Sequence, residues 1–524
     1  MNVLLKSATI IESNNKLNGK TKDLLIENGV ITKIDTTIDA RNNIEVIDLK
    51  NMHISTGWFD SSVSFGEPGF EERETIKNGL KTAAISGFTS VAVNPNTNPK
   101  IDNKATVEFI KNKAFNNAVD LHPIGNLTKN SEGIDLAELF DMQTSGAIAF
   151  GDYNKPITNA NLLKVALQYA QNFNGLILSF PQDNSIARDG LANEGENSTL
   201  LGLKGLPALA EELQIVRDLF LLEYTGGKLH IPTISTAKSV ALIKEAKEKG
   251  LDVTCSVSAH HLKLTDKELH GFNGNTKVSP PLRTQKDVDA LISGLNDGTI
   301  DMVTSDHNPI DIEHKKVEFN NAKAGTIGLE SLFGALNNTI ELSTLIDCLT
   351  TKPKSRFGLP VNSIQEGQPA NLTLFTPTGD YIFSESNINS TSKNTIFNEK
   401  EMKGKVYGIY SNNQFISMYN NSVNEGKTAA ILSYLWWIGL IIAFIMNQNK
   451  KNYFTSFHIR QSIGLSIVLF VISILTKYGI PLFGSILFLG WFVLWVIGLL
   501  GAIKGEEKEV PFLGEKFQEW FRNI

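Results

Sequence analysis

Cysteine is nearly absent from this chain: Cys255 and Cys348 are the only two in 524 residues. Two cysteines so far apart in sequence supply neither a disulfide framework nor a cysteine-rich zinc site, and they fit a reducing compartment. A surplus of positive charge is lacking too. The formal net charge is −6, from 49 Lys+Arg against 55 Asp+Glu, which gives no electrostatic case for a nucleic-acid partner. The opening stretch, MNVLLKSATIIESNN, has no long apolar core leading to a small-residue cleavage site. It reads as a first β-strand, so the first domain is expected in the cytoplasm. Up to about residue 425 the composition is that of a globular protein long enough for two or more domains. Long uncharged runs begin only past that point.

Residues 1–55 alternate short β-type runs (Val3–Ile11, Asp23–Ile26, Val30–Ile34, Glu45–Leu49) with Asn/Gly turns. From 56 to 356 the pattern becomes β-type runs followed by amphipathic helices, as in Gly146–Phe150 before Asn159–Gln171 and Lys228–Ile231 before Ala237–Lys249. Such alternation argues for a parallel sheet in an α/β fold, and about 300 residues of it suit a (β/α)8 TIM-type barrel better than an open sheet. Short strands return in 357–417, at Asn371–Phe375, Lys405–Ile409 and Gln414–Ser417.

The region 425–505 differs in kind. Thr428–Met446 and Leu482–Ile503 carry no charged residue, and at 1.5 Å per residue each reaches roughly 28–33 Å, enough for a hydrocarbon core. Ser462–Thr476 is apolar but short, a weaker span or a re-entrant piece. Trp436, Trp437, Trp491 and Trp495 on these segments favour lipid or its interface. Residues 506–524 read as a polar tail. On EGKTAAILSYL and FHIRQSIG, the module resembles small bacterial membrane proteins of three or four helices related to a chloroplast import component. Lys450, Lys451 and Arg460 fall in the first loop, which the positive-inside tendency places in the cytoplasm, whereas three full spans and a cytoplasmic barrel would place it outside. The barrel's size and lack of an export signal keep it inside in this reading. The junction at Met418 reads as a true fusion or as two reading frames joined.

Residues 57–76 read GWFDSSVSFGEPGFEERETI, a strand opening into a helix. The segment resembles the metal-binding signature of the cyclic amidohydrolases, dihydroorotase in particular, with the pattern Asp-x-His-x-His-x-Arg-Glu-Pro-Gly. Asp60, Glu67, Pro68 and Gly69 match; Ser62 and Ser64 stand at the histidine positions and Gly66 at the arginine. The resemblance extends over about 1–417. NPNTNPKID (94–102) matches the loop that offers an asparagine, here Asn96, to a substrate carboxylate. AFGDYNKPI (149–157) matches the segment whose aspartate, here Asp152, bridges two metals. GLANEGENSTLLGLKGLPALAEE, VSAHHLKLTD, KVSPPLRT and DGTIDMVTSDHNP follow the family's order. The resemblance implies that both flanks, 1–55 and 357–417, join in a small β-sandwich beside the 56–356 barrel. It also implies chemistry in which two divalent ions, usually zinc, share a hydroxide that attacks a cyclic amide while an aspartate, here Asp306, shuttles the proton. The third and fourth histidine positions are Phe180, in LILSFPQD, and Thr233, in PTISTAKS.

All four imidazoles are thus replaced, by Ser62, Ser64, Phe180 and Thr233, while Asp152 and Asp306 remain. A serine hydroxyl is a poor zinc ligand beside an imidazole nitrogen, and Gly66 removes a bidentate clamp. No metal or other cofactor is expected, and Asp306 and Asn96 are vestigial; zinc belongs only to an active alternative. Thr233 or Ser64 is the expected donor to Asp306. His260 and His261, adjacent on a strand, would face opposite sides; His230 reads as a satisfied core or loop histidine. His307 with Asp152 and Asp306 is the one alternative metal set. Silent homologues of this kind are structural partners of aspartate transcarbamoylase, so the leading expectation is an inactive partner of that enzyme, in a homo- or hetero-oligomer tethered to a membrane. The alternatives are an active cyclic-amide hydrolase with an atypical metal site, and a membrane-tethered protein holding a small ring compound in the old pocket.

Overall fold

The computed structural model describes residues 2–40, 44–448, 452–478 and 481–521. Two compact units divide it, Met1–Phe415 and Ile416–Ile524.

In the first unit eight parallel strands follow one another in chain order: Trp58–Val63, Phe88–Val93, Asp120–Gly125, Ala149–Phe150, Leu176–Leu178, Lys228–Ile231, Val253–Ser258 and Met302–Thr304. Each pairs with the next, and the last returns to the first through a parallel bridge between Val63 and His307, where Ser64 N donates to His307 O at 2.6 Å. The result is a nearly closed barrel. Its strands are buried on both faces, as a parallel sheet wrapped by helices requires: WFDSSV and FTSVAV are buried throughout. The intervening helices start where the sequence supplies caps. Thr75 accepts from Asn78 N before Ile76–Ile85, Asn103 from Thr106 N before Lys104–Lys113, and Asn159 and Thr236 do the same for Ala160–Ala170 and Ala237–Glu248. Inside the barrel Phe59, Ala92, Ile124, Leu176 and Met302 pack with Phe357, whose ring meets Phe59 edge-on at 5.5 Å and plugs the base.

The flanks fold together as one mixed sheet of eight strands. Val3–Ile10 pairs antiparallel with Thr21–Glu27 and parallel with Glu45–Ile47 and His53–Thr56. His53–Thr56 then accepts the returning chain, Leu372–Ile382, in antiparallel register (Thr56 opposite Leu372). Val3, Leu5, Ile10, Leu24, Ile54, Leu372 and Leu374 form its core.

The second unit consists of helices, and here several expectations are corrected. The run Thr428–Met446 is not one span. It breaks at Tyr434–Leu435 into Met418–Ser433 and Trp436–Gln448, with Trp436 in the left-handed region at φ 59°. Gly439 lets the two pieces approach, since a Cβ there would lie 2.3 Å from Leu432 O. At 13 residues Trp436–Gln448 reaches about 20 Å, short of a hydrocarbon core. The segment expected to be weak belongs to the 26-residue helix Tyr453–Tyr478, which is long and apolar enough to cross a membrane, as is Gly484–Lys504. Arg460 lies inside that first long helix, not in a loop, and donates to Gln518 Oε1 at 3.3 Å; Lys450 and Lys451 fall outside the described residues. Trp436 and Trp437 are exposed, whereas Trp491 and Trp495 donate their indole N–H to Leu465 O and Tyr434 O. Gly514–Trp520 packs Phe517 against Gly464 of the same unit.

Candidate functional site

Six strands deliver side chains to the C-terminal end of the barrel, the face where barrels of this type carry their chemistry. The first strand brings Ser62 and, just past its end, Ser64; the second leads into Asn94, the fourth into Asp152 and Tyr153, the fifth into Phe180, the sixth into Thr233, the eighth into Asp306. Ser62 Oγ donates to Asp306 Oδ1 at 3.2 Å, and Tyr153 Oη reaches the same oxygen at 3.5 Å. Asn94 Nδ2 spans Ser62 Oγ (3.1 Å) and Ser64 Oγ (3.3 Å). Deeper in the barrel Asp60 accepts from the Thr304 hydroxyl, from Ser305 N at 3.0 Å and from Ser62 N at 3.0 Å. Asp306 is therefore met by Ser62 and Tyr153, not by Thr233 or Ser64. Thr233, at φ 50°, turns its own N–H to Ser256 Oγ at 3.1 Å, and Ser64 is occupied by Asn94.

Burial pushes the Asp306 carboxyl up to about 7; the charge of Asp60 adds to the shift, and the Ser62 and Tyr153 hydroxyls oppose it. Asp60 is also raised, by burial above all.

Asp152 stands apart. Its Oδ1 accepts from Asn126 Nδ2 (3.1 Å), Leu127 N (3.0 Å) and Thr128 N (3.1 Å), and its Oδ2 from Thr128 Oγ1 at 2.5 Å. The carboxylate ties the loop after the third strand to the fourth and does not line the cavity, whose wall near it is Gly151, Tyr153 and Asn154. Ser62, Phe180, Thr233 and Asp306 do line it, with Leu178 and His230. The volume is about 20 Å³, room for roughly one water molecule.

Among the described residues, none of His230, His260, His261 and His307 is hydrogen-bonded to Asp152 or Asp306. His230 bonds Thr254 Oγ1 (3.0 Å) and Ser256 Oγ (3.2 Å), and burial pushes it down to about 3. His307 accepts at Nδ1 from Gly328 N (3.2 Å) and Leu329 N (3.4 Å), and so does not join Asp152 and Asp306. His260 and His261 sit on a 3-10 turn, Ala259–Leu262, not on the strand. Their rings lie side by side at 4.6 Å, with His261 bonded to Ser258 Oγ and the Pro280 and Pro281 carbonyls. The half-buried Asn96 has a buried Oδ1 without a partner among the described residues and is not on the cavity wall.

A pair of zinc ions does not fit this donor set. Each ion needs about three or four nitrogen, sulfur or carboxylate ligands at roughly 2.0–2.3 Å. The mouth offers hydroxyls, an apolar ring, one carboxylate shared with hydroxyls and another fully engaged by a loop. Among the described residues no group of three or more His, Cys, Asp or Glu side chains is arranged to hold a metal. The clamp position is closed as well: a Cβ on Gly66 would lie 1.8 Å from Phe70 O, because the 66–74 turn folds back on itself through Phe70 N to Gly66 O and Gly66 N to Glu74 O. Sequence reading missed Asn94 and Tyr153, although both lie in the motifs that pointed to Asn96 and Asp152. Which residue of a βα turn faces inward is set by loop conformation, here φ 58° at Tyr153.

Residues 53–239 match the family of dihydro-orotase-like proteins, and residues 425–517 match the magnetosome magnetite crystal formation protein family. The dihydroorotase of Syntrophus aciditrophicus (strain SB) is 39% identical over 414 residues, 78% of this chain and 97% of that protein. That of Ruminiclostridium cellulolyticum is 40% identical over 405 residues, 76% and 94%. Among solved structures, the L-hydantoinase (dihydropyrimidinase) of Arthrobacter aurescens superposes with a TM-score of 0.70 at 21% identity, over 79% of this chain and 96% of that one. The dihydropyrimidinase of Brevibacillus agri NCHU1002 gives 0.68 at 21%, over 80% and 95%. At such identities the structural likeness is one of fold.

Proposed function

The chain belongs to the dihydroorotase family, and on that premise we propose that its barrel is a catalytically silent member. It acts as a structural and regulatory partner of an aspartate transcarbamoylase, with the apolar C-terminal helices holding it to a membrane and the barrel on the cytoplasmic side. We place the barrel at 56–356 between flank segments 1–55 and 357–417, followed by a genuinely fused membrane module at 425–505. One observation carries the reading: the two serines at the imidazole positions are spent inside the protein. Ser62 is bonded to Asp306 and Asn94, Ser64 to Asn94, and Phe180 occupies space that an ion and its water would need. A transition state charged at a carbonyl oxygen would meet neither a Lewis acid nor a cluster of donors there.

The test uses the full chain in detergent micelles. Zinc content is expected below one per chain, carbamoyl-aspartate cyclisation at background, and a tagged transcarbamoylase from the same organism is expected to co-purify. Two zinc ions per chain with chelator-sensitive turnover would overturn the silent reading; intact silence without co-purification would overturn only the partnership. A second reading, an active cyclic-amide hydrolase with an atypical site, draws on the Asp306 carboxyl near neutrality, the range a general acid or base needs. Turnover that survives a chelator and disappears in Asp306→Asn would establish it. The third reading, a ring compound held in the old pocket, requires Phe180 to move, since about 20 Å³ admits no ring.

A further inference from the structure

The opposite end of the barrel holds a cavity of another character. Its volume is about 240 Å³, and it lies where the N-terminal ends of the second and third barrel strands face the flanking sheet. Ser90, Asp120, His122 and Lys354 line it, with Asn362 and Asn371 at the flank side. Strand register explains the grouping: Ser90 lies opposite Asp120 and Ala92 opposite His122, so these residues share the inward face of neighbouring parallel strands.

Four residues mark it as built for a ligand. The Ser90 hydroxyl is buried and has no hydrogen-bond partner among the described residues, a loss that a protein interior does not usually sustain. Lys354 is almost wholly buried yet meets no carboxylate among the described residues. Its Nζ donates to Gly57 O at 2.6 Å, leaving further N–H donors, and Asp120 acts on it only at longer range. A buried cation without a partner is costly, and burial accordingly pushes Lys354 down to about 8. Asp120 is exposed, anchored by Asn412 Nδ2 at 3.0 Å, with lone pairs to spare. His122, pushed down by burial to about 4, stands edge-on to Phe59 as a neutral hydrogen-bonding ring.

We propose that this basal cavity binds a free L-amino acid, its carboxylate meeting Lys354 and Ser90 and its ammonium meeting Asp120. A cation and an anion that line one cavity without touching match a ligand carrying both charges. A simple anion would leave Asp120 opposed to it, and a simple cation would leave Lys354 unpaired. The Asn362 amide at the rim favours a polar side chain, whereas that of Asn371 is engaged by Thr89 and Ser411. The site is independent of the mouth and of any partner there.

Isothermal titration of the full chain in detergent with each of the twenty L-amino acids, and with acetate and methylammonium as single-charge probes, tests the assignment. At least one amino acid is expected to bind, acetate and methylammonium about tenfold or more weakly, and Asp120→Asn and Lys354→Met to weaken the amino acid about tenfold each. Should Lys354→Met fail to fold for want of its bond to Gly57 O, Asp120→Asn and the single-charge probes on the unaltered protein still decide. Binding of no amino acid means the cavity holds water only, and acetate binding as tightly as the amino acid means an anion site; either result overturns the proposal.

Discussion

The two ends of this barrel handle buried polarity in opposite ways. At the mouth the carboxylates and hydroxyls have found neighbours: Asp306 takes Ser62 and Tyr153, Ser64 takes Asn94, Asp152 takes four donors of the 126–128 loop. The space left is about 20 Å³. At the base, Ser90 and Lys354 are left with unspent donors around about 240 Å³. A buried polar group costs free energy until it is paired, so a protein that loses its ligands must close the site with its own side chains or keep an outside partner for it. The mouth follows the first course and the base the second. Asp152 illustrates the first most clearly: a carboxylate that bridges ions in the family's pattern is here a loop staple.

The sharpest break in that contrast is Asp152→Ala. If the carboxylate were still a metal ligand, its loss would change metal content. As a staple, its removal leaves two backbone N–H groups and a hydroxyl buried without an acceptor, and the Asn126 amide with Ser131 Oγ alone. Unfolding of the full chain in detergent is expected to show a loss of about 4 kcal/mol, with metal content unchanged. Next in size is the pH response of Asp306. Its folded carboxyl titrates at about 7, against an ordinary 3.8, so the native state binds a proton that the unfolded state has released. Stability from this group is complete below pH 4 and declines as pH rises towards 7. The decline amounts to something on the order of 4 kcal/mol. Asp306→Asn keeps a neutral side chain at every pH and should flatten the slope. Buried His230, His261 and His307, depressed to between about 3 and 4, act in the other direction, losing stability as pH falls below the ordinary histidine range. The comparison with Asp306→Asn cancels them, and melting temperature against pH is the measurement.

Much of the barrel was legible because each local signal agreed with its neighbours. Strands buried on both faces alternate with helices opened by Thr75, Asn103, Asn159 and Thr236, and about 300 residues of that order suit a closed barrel. The family resemblance pointed to Ser62, Phe180, Thr233 and Asp306, and these four line one cavity. It could not place the Asp152 carboxylate, because adjacent residues of a turn point apart according to their dihedrals, and Tyr153 at φ 58° is the one that faces Asp306. The C-terminal helices were misread for another reason. An apolar run has no period, so nothing marks a break at Tyr434–Leu435. Polar residues ahead of Ser462 hid the start of the longest helix, since Thr455 and Gln461 pay their desolvation by bonding Gly426 O and Gly514 O within that unit.

The smallest expected effect is also the finest probe of the mouth. Ser62 stands between Asp306, to which it donates, and Asn94, from which it accepts. Ser62→Ala removes both bonds but leaves Tyr153 on Asp306 and Ser64 on Asn94, so neither partner is wholly abandoned. A loss of about 1 kcal/mol is expected. The substitution also removes one of the hydroxyls that hold the Asp306 carboxyl down, so the pH at which stability declines should move upward from its position in the unaltered protein. Were Ser62 instead a remaining metal ligand, the substitution would release metal and leave the carboxyl's titration governed by the ion. An upward shift with no metal released is the outcome that fits a mouth closed by its own hydroxyls.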